Sequence, residues 1–249
     1  MTYFEEAKQL VGGLDDRMGA SPYDIAWMAR VRNNGHGPRW PDLLEWLVEH
    51  QHDDGSWGGD IVYYHDRMVC TLAAAIALQE NRDLVASAGD AVQKAENYLW
   101  HHIHLLPRDP FELVGFELIF PTLLEEARSL NLDVPTHACG YGKIQTEKLR
   151  LIPPDMLYSP RITTVHSLEF LGQSGSPDRM AEALAPNGSL GNSPSATAYY
   201  LTFRPDDERA LRYLESIRAH LDHVIYLYPF STFERAWVLN NLSFSGVPV

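Results

Sequence analysis

Two things are scarce in this chain, and each narrows what it can be. Cysteine occurs twice in 249 residues, as Cys70 and Cys139. Two cysteines build no disulfide framework, so a reducing, cytoplasmic setting is expected. Positive charge is also short: 20 Lys and Arg against 33 Asp and Glu leave a net −13 at pH 7. That balance argues against nucleic acid and against anionic membrane surfaces as partners. An anionic substrate would need a local basic group. No run of apolar residues reaches the roughly 18 needed to span a bilayer, so no membrane span is expected. The first residues, MTYFEEAKQL, put acids where a secretory signal puts bases, and they lack an apolar core. Alternating apolar and polar runs, the mark of half-buried strands, are missing too.

What the chain does have is helical periodicity. Residues 41–51 (PDLLEWLVEHQ) set Leu43, Leu44, Leu47 and Val48 on one face. Residues 66–80 are apolar nearly throughout, which predicts a helix buried on most sides. Further helices are predicted over 88–103, 115–132 on either side of Pro121, 195–203 after Ser193-Pro194, 207–221, and 231–246 with a Ser231/Glu234 capping pair. Asp66 is expected to cap the helix that follows it. The fold class is all-α, built from antiparallel helix pairs.

Residues 51–60, QHDDGSWGGD, form a turn that carries a large aromatic side chain. Residues 185–201, APNGSLGNSPSATAYYL, repeat its plan: a polar residue, Gly-Ser, an apolar residue, then a helix rich in small residues. Helix pairs joined by repeated turns imply an α/α barrel, or toroid. In such a turn Gln51 can bond to backbone at a helix end while Trp57 packs beneath it, stapling an outer helix to an inner one.

Gln51-x-x-Asp54-Gly55-Ser56-Trp57-Gly58 is similar to the QW-type motif of terpene cyclases. Five further segments, in order, carry the same resemblance. They are SPYDIAWMARV (21–31), GFELIFPTLLEEARSLNLDVP (115–135), VHSLEF (165–170), SPSATAYYL (193–201) and YLYPFSTFERAWVLNNL (226–242). Together they resemble the γ domain of class II diterpene cyclases of the copalyl diphosphate synthase kind. The resemblance implies a γ domain over 21–249, preceded at 1–20 by a helix like the first β-domain helix. It implies geranylgeranyl diphosphate as substrate, cyclised after protonation to a copalyl-type bicyclic diphosphate. The family's acid, the middle residue of Asp-x-Asp-Asp, lies in the β domain. The pairs Asp15-Asp16, Asp53-Asp54 and Asp206-Asp207 do not match that motif. The acid is therefore expected from a separate β-domain chain, whether nature divided the enzyme or the chain was cut. The alternative is a non-catalytic scaffold that kept the γ fold.

The resemblance also assigns roles. His166 stands at the base position, where a neutral imidazole takes a proton directly or through water. Tyr226 replaces the Asn that partners this His in plant enzymes. Lys148 stands where a family Lys contacts the diphosphate, with Arg150 and Arg161 nearby; an ammonium suits that task. The family's Mg²⁺-binding acids fall near 105–109, where LLPRDP keeps Asp109, followed by Glu112. One or two carboxylates can hold Mg²⁺ bridged to phosphate. Trp57, Tyr63, Tyr64, Tyr199 and Tyr200 are candidates to line a cavity and face cations, although such residues are more often core. WHHIH (100–104) lacks the partners of a zinc site.

Overall fold

The computed structural model describes residues 20–33, 36–135, 140–220 and 230–246, with Glu5, Glu6 and Gln9; residues 220 and 230–235 are described through their backbone. Tyr226 and most of the segment 1–20 lie outside the described residues.

The helices are α1 (Pro22–Ala29), α2 (Asp42–Glu49), α3 (Tyr64–Glu80), α4 (Ala88–His102), α5 (Phe116–Ser129), α6 (Tyr141–Leu151), α7 (Pro177–Ala183), α8 (Pro194–Phe203), α9 (Glu208–His220) and α10 (Phe230–Phe244). Two 3₁₀ segments, Ile103–Arg108 and Thr163–Ser174, complete the helical set. One two-stranded antiparallel hairpin, Arg32–Asn33 with His36–Pro38, is the described β structure.

Five elements follow one another round a cycle: α1 packs on α3, α3 on α5, α5 on the Thr163–Ser174 segment, that segment on α8, and α8 back on α1. The others lie outside it, with α2 and α4 on α3, α6 on α5, and α7 and α9 on α8. The all-α class is as expected. No continuous barrel wall closes among the described residues; what closes is the cycle of neighbours. Burial explains the two layers. Every residue from Tyr23 to Ala29 in α1 is buried, as is Arg67–Leu78 in α3 and Pro194–Leu201 in α8. Ala73, Ala74, Ala75 and Ala77 let neighbours approach α3 closely. The outer α2 buries only Leu43, Leu44 and Leu47. Helices apolar all round go inside; helices with one stripe go outside.

Two inner helices start alike. Ser21 caps α1 through the Asp24 N–H, Ser193 caps α8 through the Ala196 N–H, and a proline follows each cap. Helix α3 begins two residues before the expected start. Asp66 is therefore not its cap: its carboxylate accepts the Gly59 N–H at 2.8 Å and the Cys70 thiol at 3.4 Å. Helix α5 runs unbroken through Pro121.

The QHDDGSWGGD turn is a staple. The Gln51 amide donates to the carbonyls of Gly55 and Ala91, 2.9 Å each, tying the turn to α4. The Trp57 indole donates to the Leu47 carbonyl at 2.7 Å, and its main-chain N–H to Thr71 Oγ1 at 3.0 Å, tying α2 to α3. The second turn repeats the frame of this staple, without the Gln51 and indole bonds. His52 N to Ser56 O corresponds to Ala185 N to Ser189 O. Ser56 bonding Asp54 corresponds to Ser189 bonding Asn187, and Trp57 N to Thr71 corresponds to Leu190 N to Thr197.

Candidate active site

The inner elements run in one direction, so the ring has an N-terminal end and a C-terminal end. At the N-terminal end lies a mainly apolar cavity of about 580 Å³. Its walls come from the starts of α1 (Pro22, Tyr23), α3 (Val69, Cys70) and α5 (Phe116, Ile119). Val114, 98% exposed, adds apolar surface to its lining, and Asp66 adds a carboxylate. At the C-terminal end Arg30 donates to both Glu80 carboxylate oxygens and to the Glu126 carboxylate, with its guanidinium 4.3 Å from the Trp27 ring centroid. This bridge joins the ends of α1, α3 and α5.

Three motif segments meet inside the ring. The Tyr23 hydroxyl donates to Glu169 Oε1 at 3.1 Å. Asp24 Oδ1 accepts the Ser195 N–H at 3.0 Å, and its other oxygen accepts the Ser21 hydroxyl at 2.5 Å. Burial pushes the Asp24 carboxyl up to about 7 and the Glu169 carboxyl up to about 8. Neither acid was singled out as functional in the sequence. Their partners are 171 and 146 positions away, and no spacing rule links them.

His166 is half-buried on the Thr163–Ser174 segment, between Val165 and the kink at Ser167. Its Nδ1–H donates to the Gly191 carbonyl at 3.2 Å. The two backbones touch: a Cβ on Gly191 would stand 2.9 Å from His166 Cα. Burial lowers the imidazole's pKa, despite the Gly191 bond. The ring is thus neutral near pH 7 with its Nε2 as the basic nitrogen, which is the form a proton acceptor needs.

Lys148, half-exposed near the end of α6, pairs with the Glu117 carboxylate in the first turn of α5. Arg150 and Arg161 are exposed, and among the described residues neither forms an ion pair that would draw it to Lys148. Trp57 has no exposed surface at all. The expectation that it touches substrate is corrected: the indole is spent on the staple. Tyr64 packs against His102 of α4, ring centroids 6.4 Å apart, and lines none of the cavities described. Tyr63 donates to the Phe111 carbonyl, and Tyr200 to Asp207 at 2.7 Å. Tyr199 donates to the Gly172 carbonyl at 2.5 Å, at the C-terminal end.

Asp109 and Glu112 both line a smaller cavity of about 260 Å³ with His65 and Tyr141. Asp109 Oδ2 accepts the His65 main-chain N–H at 2.8 Å and lies 2.6 Å from its Nδ1. Burial opposes ionisation of Asp109, but the bonds from His65 outweigh it and hold the carboxyl below the usual range. Glu112 accepts the Tyr141 hydroxyl at 3.1 Å. Among the described residues no three His, Cys, Asp or Glu side chains converge as metal ligands. The pair therefore does not fit a dedicated Mg²⁺ cage.

No protein-family model matches the chain. Individual relatives do. It is 33% identical over 98% of its length to (13E)-labda-7,13-dien-15-ol synthase of Selaginella moellendorffii. It is 32% identical over 94% to ent-copalyl diphosphate synthase 2, chloroplastic, of Marrubium vulgare. Among solved structures, ent-copalyl diphosphate synthase from Arabidopsis thaliana matches 97% of the chain with a TM-score of 0.81 and 30% identity. Abietadiene synthase from Abies grandis matches 95% with a TM-score of 0.79 and 29% identity. The chain belongs with the class II diterpene cyclases of the copalyl diphosphate synthase kind. It spans about a third of the length of these relatives: 33% and 30% of the two synthases, 36% and 33% of the two structures.

Proposed function

We propose that the chain is the γ-domain part of a class II diterpene cyclase acting on geranylgeranyl diphosphate. A β domain on a separate chain supplies the Asp-x-Asp-Asp acid that protonates the terminal alkene. Ring closure follows without loss of diphosphate, and proton loss gives a copalyl-type bicyclic diphosphate. This chain contributes apolar walls, the base and the diphosphate anchor. His166 accepts the final proton, Lys148 meets the diphosphate after exchanging Glu117 for it, and the cavity keeps water from the cations. Tyr226 is the base's partner by resemblance. A reducing cytoplasm suits the free, buried thiol of Cys70.

The observation that carries this reading is the open, mainly apolar cavity at one end of the ring, lined in part by exposed Val114. Such surface invites a partner. A second reading, a non-catalytic scaffold of the same fold, is favoured by Lys148 being engaged with Glu117.

The test is to incubate the chain with geranylgeranyl diphosphate and Mg²⁺, alone and with a β-domain chain bearing Asp-x-Asp-Asp. A bicyclic diphosphate formed only in the mixture is expected, and it should fall by on the order of 100-fold in His166→Ala. No product from a mixture whose chains bind each other supports the scaffold. Product from this chain alone overturns the account, because an unassigned acid would be at work.

A further inference from the structure

The stretch where the resemblance expects a Mg²⁺ site is bolted to the protein by side chains instead. The Asp109 carboxylate is 5% exposed and the His65 imidazole 4%. Asp109 Oδ2 receives the His65 main-chain N–H at 2.8 Å and lies 2.6 Å from Nδ1. Two residues on, the Phe111 carbonyl accepts the Tyr63 hydroxyl, and Glu112 Oε1 accepts the Tyr141 hydroxyl at 3.1 Å. The tethers come from the start of α3 and the start of α6.

Mg²⁺ demands a near-octahedral shell of oxygens at about 2.0–2.1 Å. Asp109 Oδ2 already meets two N–H donors, whose positive ends repel a cation. Displacing them would strand two buried donors without an acceptor. The other atom that His65 brings to the small cavity is Nε2, buried with no hydrogen-bond partner. It is a nitrogen, and Mg²⁺ prefers oxygen. The donor set thus suits a side-chain bond better than an ion.

The same stretch leads into the large cavity. Leu113 and Val114 line it, and so does Phe116, whose ring stands edge-to-face with His65 at 4.5 Å between centroids. We propose that Asp109 and His65 form a metal-free clasp, where the resemblance puts a divalent cation, and that this clasp positions Leu113, Val114 and Phe116 in the cavity wall. Asp109 is then a positioning residue and not a metal ligand. Only the bearing on substrate rests on the cyclase reading: Lys148 meets the diphosphate with no cation held at Asp109.

The test compares the full chain in EDTA and in Mg²⁺. The His65 Nδ1 proton, in a short bond to a carboxylate, should resonate far downfield in proton NMR. It should keep its shift in both buffers, a comparison that needs no variant, and vanish in Asp109→Ala. Mn²⁺, followed by electron spin resonance, should find no saturable site that Asp109→Asn abolishes. Geranylgeraniol, a neutral probe of the cavity, should bind with one affinity in both buffers by calorimetry. Asp109→Ala should weaken that binding by about fivefold or more with or without Mg²⁺, and Asp109→Asn, which keeps an acceptor for one His65 donor, by less. A native spectrum without the downfield proton, a shift of it on adding Mg²⁺, or a Mn²⁺ site lost in Asp109→Asn overturns the clasp. Geranylgeraniol that fails to bind the native chain, or binds Asp109→Ala as tightly, overturns the positioning role. The two readings fail separately. A Mg²⁺-indifferent clasp without cyclisation in the mixed assay rejects the cyclase alone, and cyclisation with a Mg²⁺-shifted His65 proton rejects the clasp alone.

Discussion

The Gly55 backbone lies so close to Lys94 that a Cβ added to the glycine would stand 2.6 Å from the Lys94 carbonyl oxygen. Gly188, in the second turn, meets the Arg209 carbonyl in the same way at 2.2 Å. Both glycines have φ near +90°, where side chains are strained. Gly55→Ala and Gly188→Ala should each lower unfolding free energy by at least ~1–3 kcal/mol in urea titrations. An unchanged midpoint in either would mean that the outer helix slides away without loss.

The buried acids set a pH dependence of stability. The folded-state values of Asp24 and Glu169, about 7 and about 8, lie above the ordinary 3.8 and 4.5. The folded chain therefore holds more protons than the unfolded one across that interval. Their contribution is complete below the ordinary carboxyl range and is lost as pH rises through 7 to 8. Thermal midpoints should decline over this window, and Glu169→Gln should flatten the decline. A midpoint that climbs with pH there would contradict it.

Asp109 fastens the start of α3 to the Ile103–Arg108 segment through His65. Asp109→Ala removes the acceptor of two His65 donors and should cost ~2–4 kcal/mol. Because the Asp109 carboxyl is depressed, its contribution is present above the ordinary range and fails only in strong acid. Urea midpoints at pH 7 and in acid would register both effects.

Lys148 and Glu117 compete with any anion for one another. Inorganic diphosphate should bind Glu117→Gln more tightly than the native chain, by up to about fivefold given the half-exposed lysine. Lys148→Ala should lose that binding. Equal affinities in all three proteins would place the anchor elsewhere.

The helices that periodicity located are those with strong apolar patterns or Ser-Pro starts, such as α3 and α8. Helix α6 escaped because YGKIQTEKLRL buries only Tyr141, so no stripe repeats along it. The Thr163–Ser174 segment escaped because its course depends on non-helical Ser167 and Gly172, held by contacts from α5 and α8. Among site residues, the Trp57 staple was legible because its partners are close in sequence. Asp109 was singled out by resemblance as a Mg²⁺-binding acid, but not as the partner of His65, 44 positions earlier. Glu169 stood in a recognised motif three residues after His166, yet its bond to Tyr23 is made only by folding.

The Arg30 bridge clasps the ends of α1, α3 and α5 through one guanidinium. The opposite ends of the same three helices wall the large cavity. Whatever spreads or narrows that wall therefore works against a single charge at the far end, which sets how far the three helices can part.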